Sequence, residues 1–288
     1  MVDTVYMMSL GIAFTLVCVG AVSHGLWNAL VKRSGTADTM FIWVYSALGT
    51  PVMCCVLLWG SLYEGLGPAW WAALVSMALH TLYAVVLQKV YAVSDLVLVY
   101  PVSRGLAPVM VTLISVPWIG LPGALPSIAL PVVLVGVFLV GGISIRELAR
   151  PRGVWAGMGV AVCTALYTLW DAYSIDVLNV NLTSYIALSS LAQFVLLTGL
   201  LFRRRGEFRA AVVASWRAAV PITLLVPASY LVILVAMNLA PPSMIATART
   251  MNVVFGVIAA AWLLKEPLTA RSICGVVLIT LGSVMSAV

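Results

Sequence analysis

Charge is what this 288-residue chain has least of. Only 8% of its residues are Asp, Glu, Lys or Arg, against 63% hydrophobic, and mean hydropathy is +1.13. That composition lies far outside the soluble range and excludes a soluble domain. Cysteine is sparse as well: Cys18, Cys54, Cys55, Cys163 and Cys274 lie in apolar stretches without ligand spacing, which argues against disulfides and a metal site. No nucleophile elbow, Walker loop, zinc ligand set or carboxylate pair is present, so the chain reads as a non-enzyme without a cofactor. With no nucleotide-binding loop, any work it does must draw on a gradient or on exchange. The net charge of +6 does not suggest nucleic acid binding, because it follows from where the basic residues sit.

Thirteen of the fifteen basic residues (Lys32, Arg33, Lys89, Arg146, Arg150, Arg152, Arg203, Arg204, Arg205, Arg209, Arg217, Lys265 and Arg271) fall in or beside every second connection between apolar runs. The intervening connections and both termini carry none. Ten runs are long enough to cross a bilayer, which takes about 20 apolar residues. They cover approximately 7–31, 39–61, 69–91, 95–117, 125–144, 154–177, 183–202, 214–238, 242–264 and 269–287. The first is too long for a signal h-region and lacks a clear cleavage site, so it is expected to stay in the mature chain. Basic loops are held in the cytoplasm, which places both termini outside a cell inner (plasma) membrane crossed ten times.

The two halves resemble each other. Leu26-Trp27-Asn28-Ala29 matches Leu169-Trp170-Asp171-Ala172 at an offset of 143, and Tyr83 matches Tyr230 at 147. Arg104 matches Arg249, and Gly136 falls opposite Gly282. Residues 1–145 and 146–288 are therefore expected to be five-helix repeats within one membrane unit. Five is odd, so the second copy enters from the opposite side. The expected fold is all-α, ten transmembrane helices as two inverted five-helix repeats, with substrate held near the midplane.

Two cations lie inside apolar runs, Arg104 and Arg249. A buried Arg costs roughly 2.5–3.5 kcal/mol at a helix centre, so it usually serves a purpose. Its planar fork suits carboxylate, phosphate, phosphonate or sulfonate; the alternative is a structural lock on helix ends or on an acidic group. Asp171 is the acidic residue clearly inside a span, on one face with Tyr167, Trp170 and Ser174. It reads as an exchangeable-proton site or as a static partner of either arginine. His24, Trp27 and Asn28 occupy the equivalent face in the first half, His24 as a further proton candidate. Trp27, Trp170, Tyr83, Tyr230 and Tyr100 are candidates for an aromatic lining, and Gln88 and His80 for polar wall positions. Trp43, Trp59, Trp70, Trp71 and Trp118 read as interfacial belt.

The stretch Trp262-Leu263-Leu264-Lys265-Glu266-Pro267-Leu268-Thr269, followed by Gly275 and Leu281-Gly282, resembles the closing signature of EamA-type ten-helix members of the drug/metabolite transporter superfamily. The regions around Trp27 and Trp170 resemble that family's tryptophan motif. The resemblance covers essentially the whole chain and implies a transporter fold, without a substrate. Some superfamily members, the plastid sugar-phosphate exchangers, carry basic phosphate-binding residues in helices 4 and 9, where Arg104 and Arg249 fall here. The first half departs from the signature, with Trp118-Ile119-Gly120-Leu121-Pro122 in place of the acidic turn. The lack of basic residues at the N-terminus and in the second connection also departs from the family's usual inward termini.

Three functions follow from these residues. The leading one is a secondary carrier, working by alternating access, for a small organic anion or zwitterion (carboxylate, amino acid, phosphonate or sulfonate), with protons or a counter-substrate as coupling partner. The second is an exporter of cationic or lipophilic compounds governed by Asp171. The third is a non-transporting accessory subunit, against which the duplicated length argues. The expected partners are a small molecule and the lipid bilayer, with the chain a monomer or homodimer.

Overall fold

The computed structural model describes residues 2–34, 39–93, 96–144, 146, 151–263, 265 and 267–288. Among them the chain forms ten helices and no strand: α1 (Val2–Ser34), α2 (Thr39–Tyr63), α3 (Ala69–Val93), α4 (Leu96–Ile119), α5 (Ala124–Val140), α6 (Pro151–Asp176), α7 (Leu182–Leu200), α8 (Phe208–Met237), α9 in two pieces (Pro242–Ala248 and Met251–Leu263) and α10 (Ala270–Met285). In hydrocarbon every backbone N–H and C=O must find its partner within the segment, so uninterrupted apolar runs become helices. Eight helical spans are long and apolar enough to cross a membrane, and α5 and α10 are shorter apolar helices of 17 and 16 residues. At 1.5 Å per residue these two still reach about 25 Å, most of a hydrocarbon core.

Contacts between helices repeat when the halves are exchanged. Helix α2 packs on α7 and α5 on α10, each against its counterpart. Helix α1 packs on α8 and α9, while α6, the counterpart of α1, packs on α3 and α4. The α5–α10 seam depends on glycine. A Cβ added at Gly136 would lie 2.9 Å from the Gly275 carbonyl oxygen, and one at Gly275 would lie 2.6 Å from that of Gly136. Small residues of this kind let two backbones touch where lipid offers no hydrophobic drive to hold helices together.

Three details differ from the sequence expectation. Helix α8 starts six residues before the expected 214, after a 3₁₀ turn over Phe202–Glu207. Arg205 lies over the Phe202 ring and Arg217 over Trp216, contacts that hold the charged heads near the apolar boundary. Helix α9 is broken at Arg249 and Thr250, a break that hydropathy does not register. Trp43 is not a belt residue: it is buried, stacks on Phe208 at 3.9 Å and donates its indole N–H to Thr198 Oγ1 at 2.8 Å. Trp71 likewise packs on Trp170 inside the bundle. Trp59, Trp70 and Trp118 are exposed on the outer face, where an interfacial belt would be.

Candidate functional site

The break in α9 begins with Pro241 and Pro242, the second of which sits in the first turn, where its missing N–H costs nothing. Seven residues later the hydrogen bonding tightens. Thr250 donates to the Thr247 carbonyl, Asn252 to that of Arg249 and Val253 to that of Thr250, all three residues back. The Thr247 and Thr250 hydroxyls bond the carbonyls of Ser243 and Thr247. Irregular backbone at this depth is tolerated where it is buried or lines a cavity. Arg249 sits on the break and does line one.

That cavity has a volume of about 240 Å³. Its wall comes from both halves: His24 of α1, Tyr45 and Ser46 of α2, Ser76 and His80 of α3, Tyr167 of α6, Ser189, Ser190 and Gln193 of α7, Thr223 and Tyr230 of α8, and Arg249 and Asn252 of α9. Cross-helix hydroxyls hold the wall together, Ser23 donating to the Leu225 carbonyl and Thr223 to that of Tyr45. The Arg249 guanidinium lies over the Tyr167 ring, 5.9 Å from its centre, and donates to Thr168 Oγ1 at 3.4 Å. Both Arg249 and Arg104 are near enough to His24 for their charge to act on it, although Arg104 is not part of the cavity wall.

Asp171 is 1% exposed and lies behind this wall. Its Oδ1 accepts from the Ser76 hydroxyl at 2.7 Å and from the Tyr185 hydroxyl at 2.8 Å, and its Oδ2 accepts from Tyr230 at 2.9 Å. A carboxylate is an acceptor only, and three hydroxyl donors match that need. The carboxyl thereby ties α6 to α3, α7 and α8. Local turn chemistry brings Tyr185 there. Asn179 takes a φ of 48°, which Asn tolerates better than most residues, and the Asn181 side chain caps α7 by accepting from the Ser184 N–H at 2.9 Å. The hairpin then returns Tyr185 to the side of Asp171. Around it, Ala72, Ala73, Ala172, Ile175, Tyr185, Leu234 and Ile245 form one buried cluster that fills this end of the bundle.

The other candidates fall in different places. Tyr230 lines the cavity, whereas Tyr83 packs edge-on to Tyr167 at 5.5 Å and is not in the wall. Trp170 donates to the Ala72 carbonyl at 3.0 Å and packs on Trp71 and Tyr173 beside the buried cluster. Trp27 meets His24 edge-on at 5.0 Å and packs with the cluster around Trp43. The side chains of Asn28, Gln88 and Tyr100 lie outside the described residues, as do Leu264 and Glu266 of the closing signature and residues 147–150 of the central connection. Ser76, Tyr185, Tyr45 and Gln193 were not singled out from sequence. Only Ser76 offered a signal, its i, i+4 spacing with His80 on α3.

Residues 151–288 match the model of the EamA-like transporter family. No curated protein matches the chain in sequence. A solved crystal structure of 16% sequence identity superposes with a TM-score of 0.70 over 95% of this chain and 96% of its own, so the fold is shared across both halves. The second half of the chain therefore belongs to the EamA-like transporter family, within the drug/metabolite transporter superfamily, whose members are membrane transporters of small molecules.

Proposed function

We propose that the chain is a secondary active transporter of a small organic anion or zwitterion, working by alternating access in the inner membrane with both termini outside. The observation that carries this reading is the charge of the cavity wall. It holds the Arg249 guanidinium, and among the described residues no carboxylate lines it. A cation entering there would meet Arg249 and reach Asp171 only through the Ser76 and Tyr230 hydroxyls. An acidic group would meet the guanidinium directly, along with serine, threonine and amide donors. These features favour the anion carrier over the cation exporter.

Arg249 is assigned to the acidic group of the substrate, and Arg104, whose charge acts on His24 as that of Arg249 does, to a supporting charge. Tyr167 and Tyr230 supply the apolar faces for the rest of the molecule. Asp171 is assigned the coupling proton. The free energy for accumulation then comes from the pH gradient or from a counter-substrate. The test is uptake into proteoliposomes of radiolabelled carboxylates, amino acids, phosphonates and sulfonates, set against quaternary ammonium compounds. Saturable uptake from the acidic group supports the reading, and uptake confined to the cations sinks it.

A further inference from the structure

Asp171 is 1% exposed and is not among the described wall residues, while Ser76 and Tyr230, which bond its carboxylate, are; a proton from the cavity is therefore best handed on through such a neighbour. His80 lies one helical turn beyond Ser76 on α3, and its ring is fixed by stacking on Tyr167 at 4.1 Å and by the edge of Tyr230 at 5.6 Å. Its Nδ1 is 2.9 Å from the Ser76 carbonyl oxygen, an acceptor only, so in the neutral ring Nδ1 carries the proton and Nε2 is the basic nitrogen. The same Nδ1 is 3.3 Å from Ser76 Oγ, which donates to Asp171 Oδ1 at 2.7 Å.

We infer that His80 is the proton port of Asp171, with Ser76 as the relay between them. The inference rests on the reading of Asp171 as the proton-exchanging group. A proton from cavity water binds Nε2. The Nδ1 proton passes to Ser76 Oγ, and the hydroxyl proton of Ser76 passes to Oδ1 of Asp171. One proton has entered at the imidazole and one has arrived at the carboxylate. Ser76 is left neutral, and His80 is left neutral with its proton on Nε2. Reverse transfer, once the cavity has opened to the opposite side, returns the proton and restores the first tautomer.

The other groups around Asp171 are poorer ports. Tyr230 of α8 reaches both cavity and carboxylate, but a neutral phenol offers no basic site to take up a proton from water, whereas a neutral imidazole has a basic ring nitrogen. Tyr185 of α7 belongs to the closed cluster. A guanidinium has no basic nitrogen to take up a proton, which sets aside Arg249 of α9 and Arg104 of α4, and the described hydrogen bonds to the Asp171 carboxyl come from Ser76, Tyr185 and Tyr230 rather than from Tyr167, Tyr173 or Asp176 of α6. The repeat carries no second relay: at the same offsets Ser76 faces Thr223, His80 faces Pro227 and Asp171 faces Asn28.

The test follows the carboxylic C=O infrared band of Asp171 after a rapid pH drop on the reconstituted full-length protein, the band being assigned by its loss in Asp171→Asn. His80→Ala is expected to slow the appearance of the band on the order of a hundredfold, the usual weight of a positioned acid–base group. Millimolar imidazole, which the enlarged cavity accepts, restores the rate. Ser76→Ala slows it without rescue by imidazole. Wild-type rates in both His80→Ala and Ser76→Ala overturn the inference, as does slowing confined to Tyr230→Phe. If the wild-type protein shows no band anywhere between about pH 8 and pH 4, the proton role of Asp171 fails instead.

Discussion

Ser76 and Asp171 come from opposite halves of the chain, 95 positions apart, and meet with the serine hydroxyl 2.7 Å from the carboxylate oxygen. In the proposed alternating-access cycle the two halves move against each other, and a carboxyl bonded across their boundary is where a proton would bias that motion. As a carboxylate, Asp171 accepts from three helices. Once protonated it must donate in one direction, and its hydroxyl partners have to rearrange.

Asp171→Asn keeps the shape of the side chain and removes its titration. Uptake driven by a pH gradient is expected to vanish, while counterflow exchange between equal pH on both sides persists. Gradient-driven accumulation at the wild-type level would make Asp171 a structural partner of the three hydroxyls.

Tyr185→Phe removes one donor from a buried carboxylate without changing the ring. A hydrogen bond to a charged group is worth about 1.5–3 kcal/mol, so the melting temperature of the purified protein should fall at neutral pH. The loss should shrink at acidic pH, where a protonated Asp171 needs one donor fewer. A pH-independent effect would show that the hydroxyl contributes through packing alone.

Gly275→Leu places a branched side chain where the Gly136 carbonyl oxygen would lie 2.6 Å from its Cβ. Overpacking of this kind costs typically 1–3 kcal/mol, and a backbone atom yields less readily than a side chain. A lowered melting temperature in detergent is expected, with α5 and α10 losing protection in hydrogen exchange before α2 and α7. An unchanged melting temperature would mean the seam is looser than described.

The ten helices were legible in the sequence because lipid imposes one rule on every span. Lys32-Arg33 and Arg203-Arg204-Arg205 mark their loops for the same reason. The break at Arg249 was not legible, since Ile245 to Val253 stays apolar enough to read as one run and the threonines beside it, Thr247 and Thr250, are ordinary in a span. Trp43 misled because an indole near a helix start looks interfacial until Thr198 and Phe208 are brought beside it from α7 and α8. Tyr185 was invisible for a related reason: a hydroxyl acquires meaning only from its partner, and its partner, Asp171, is reached through tertiary packing. The sequence did single out Asp171 itself, because a lone carboxylate in an apolar run needs a partner wherever the chain folds.

Orientation is open to a direct check. The thirteen-to-none distribution of basic residues between alternate connections calls for both termini outside. A C-terminal alkaline phosphatase fusion should be active and a C-terminal GFP fusion dark. The reverse pattern would restore inward termini and place the Asp171 end on the cytoplasmic side.

The central claim is that the cavity holds an acidic group on Arg249, and ligand-induced stabilisation of the purified protein measures it without knowledge of transport direction. Carboxylates, phosphonates and sulfonates should raise the melting temperature of the wild-type protein, since a ligand at a hundred times its Kd adds about 2.7 kcal/mol to the native state. In Arg249→Lys the fork is lost and the charge kept, so affinity should fall about tenfold; in Arg249→Ala the shift should nearly disappear, a loss of about 1.5–3 kcal/mol. Stabilisation by quaternary ammonium compounds alone, undiminished in Arg249→Ala and abolished in Asp171→Asn, would contradict the claim.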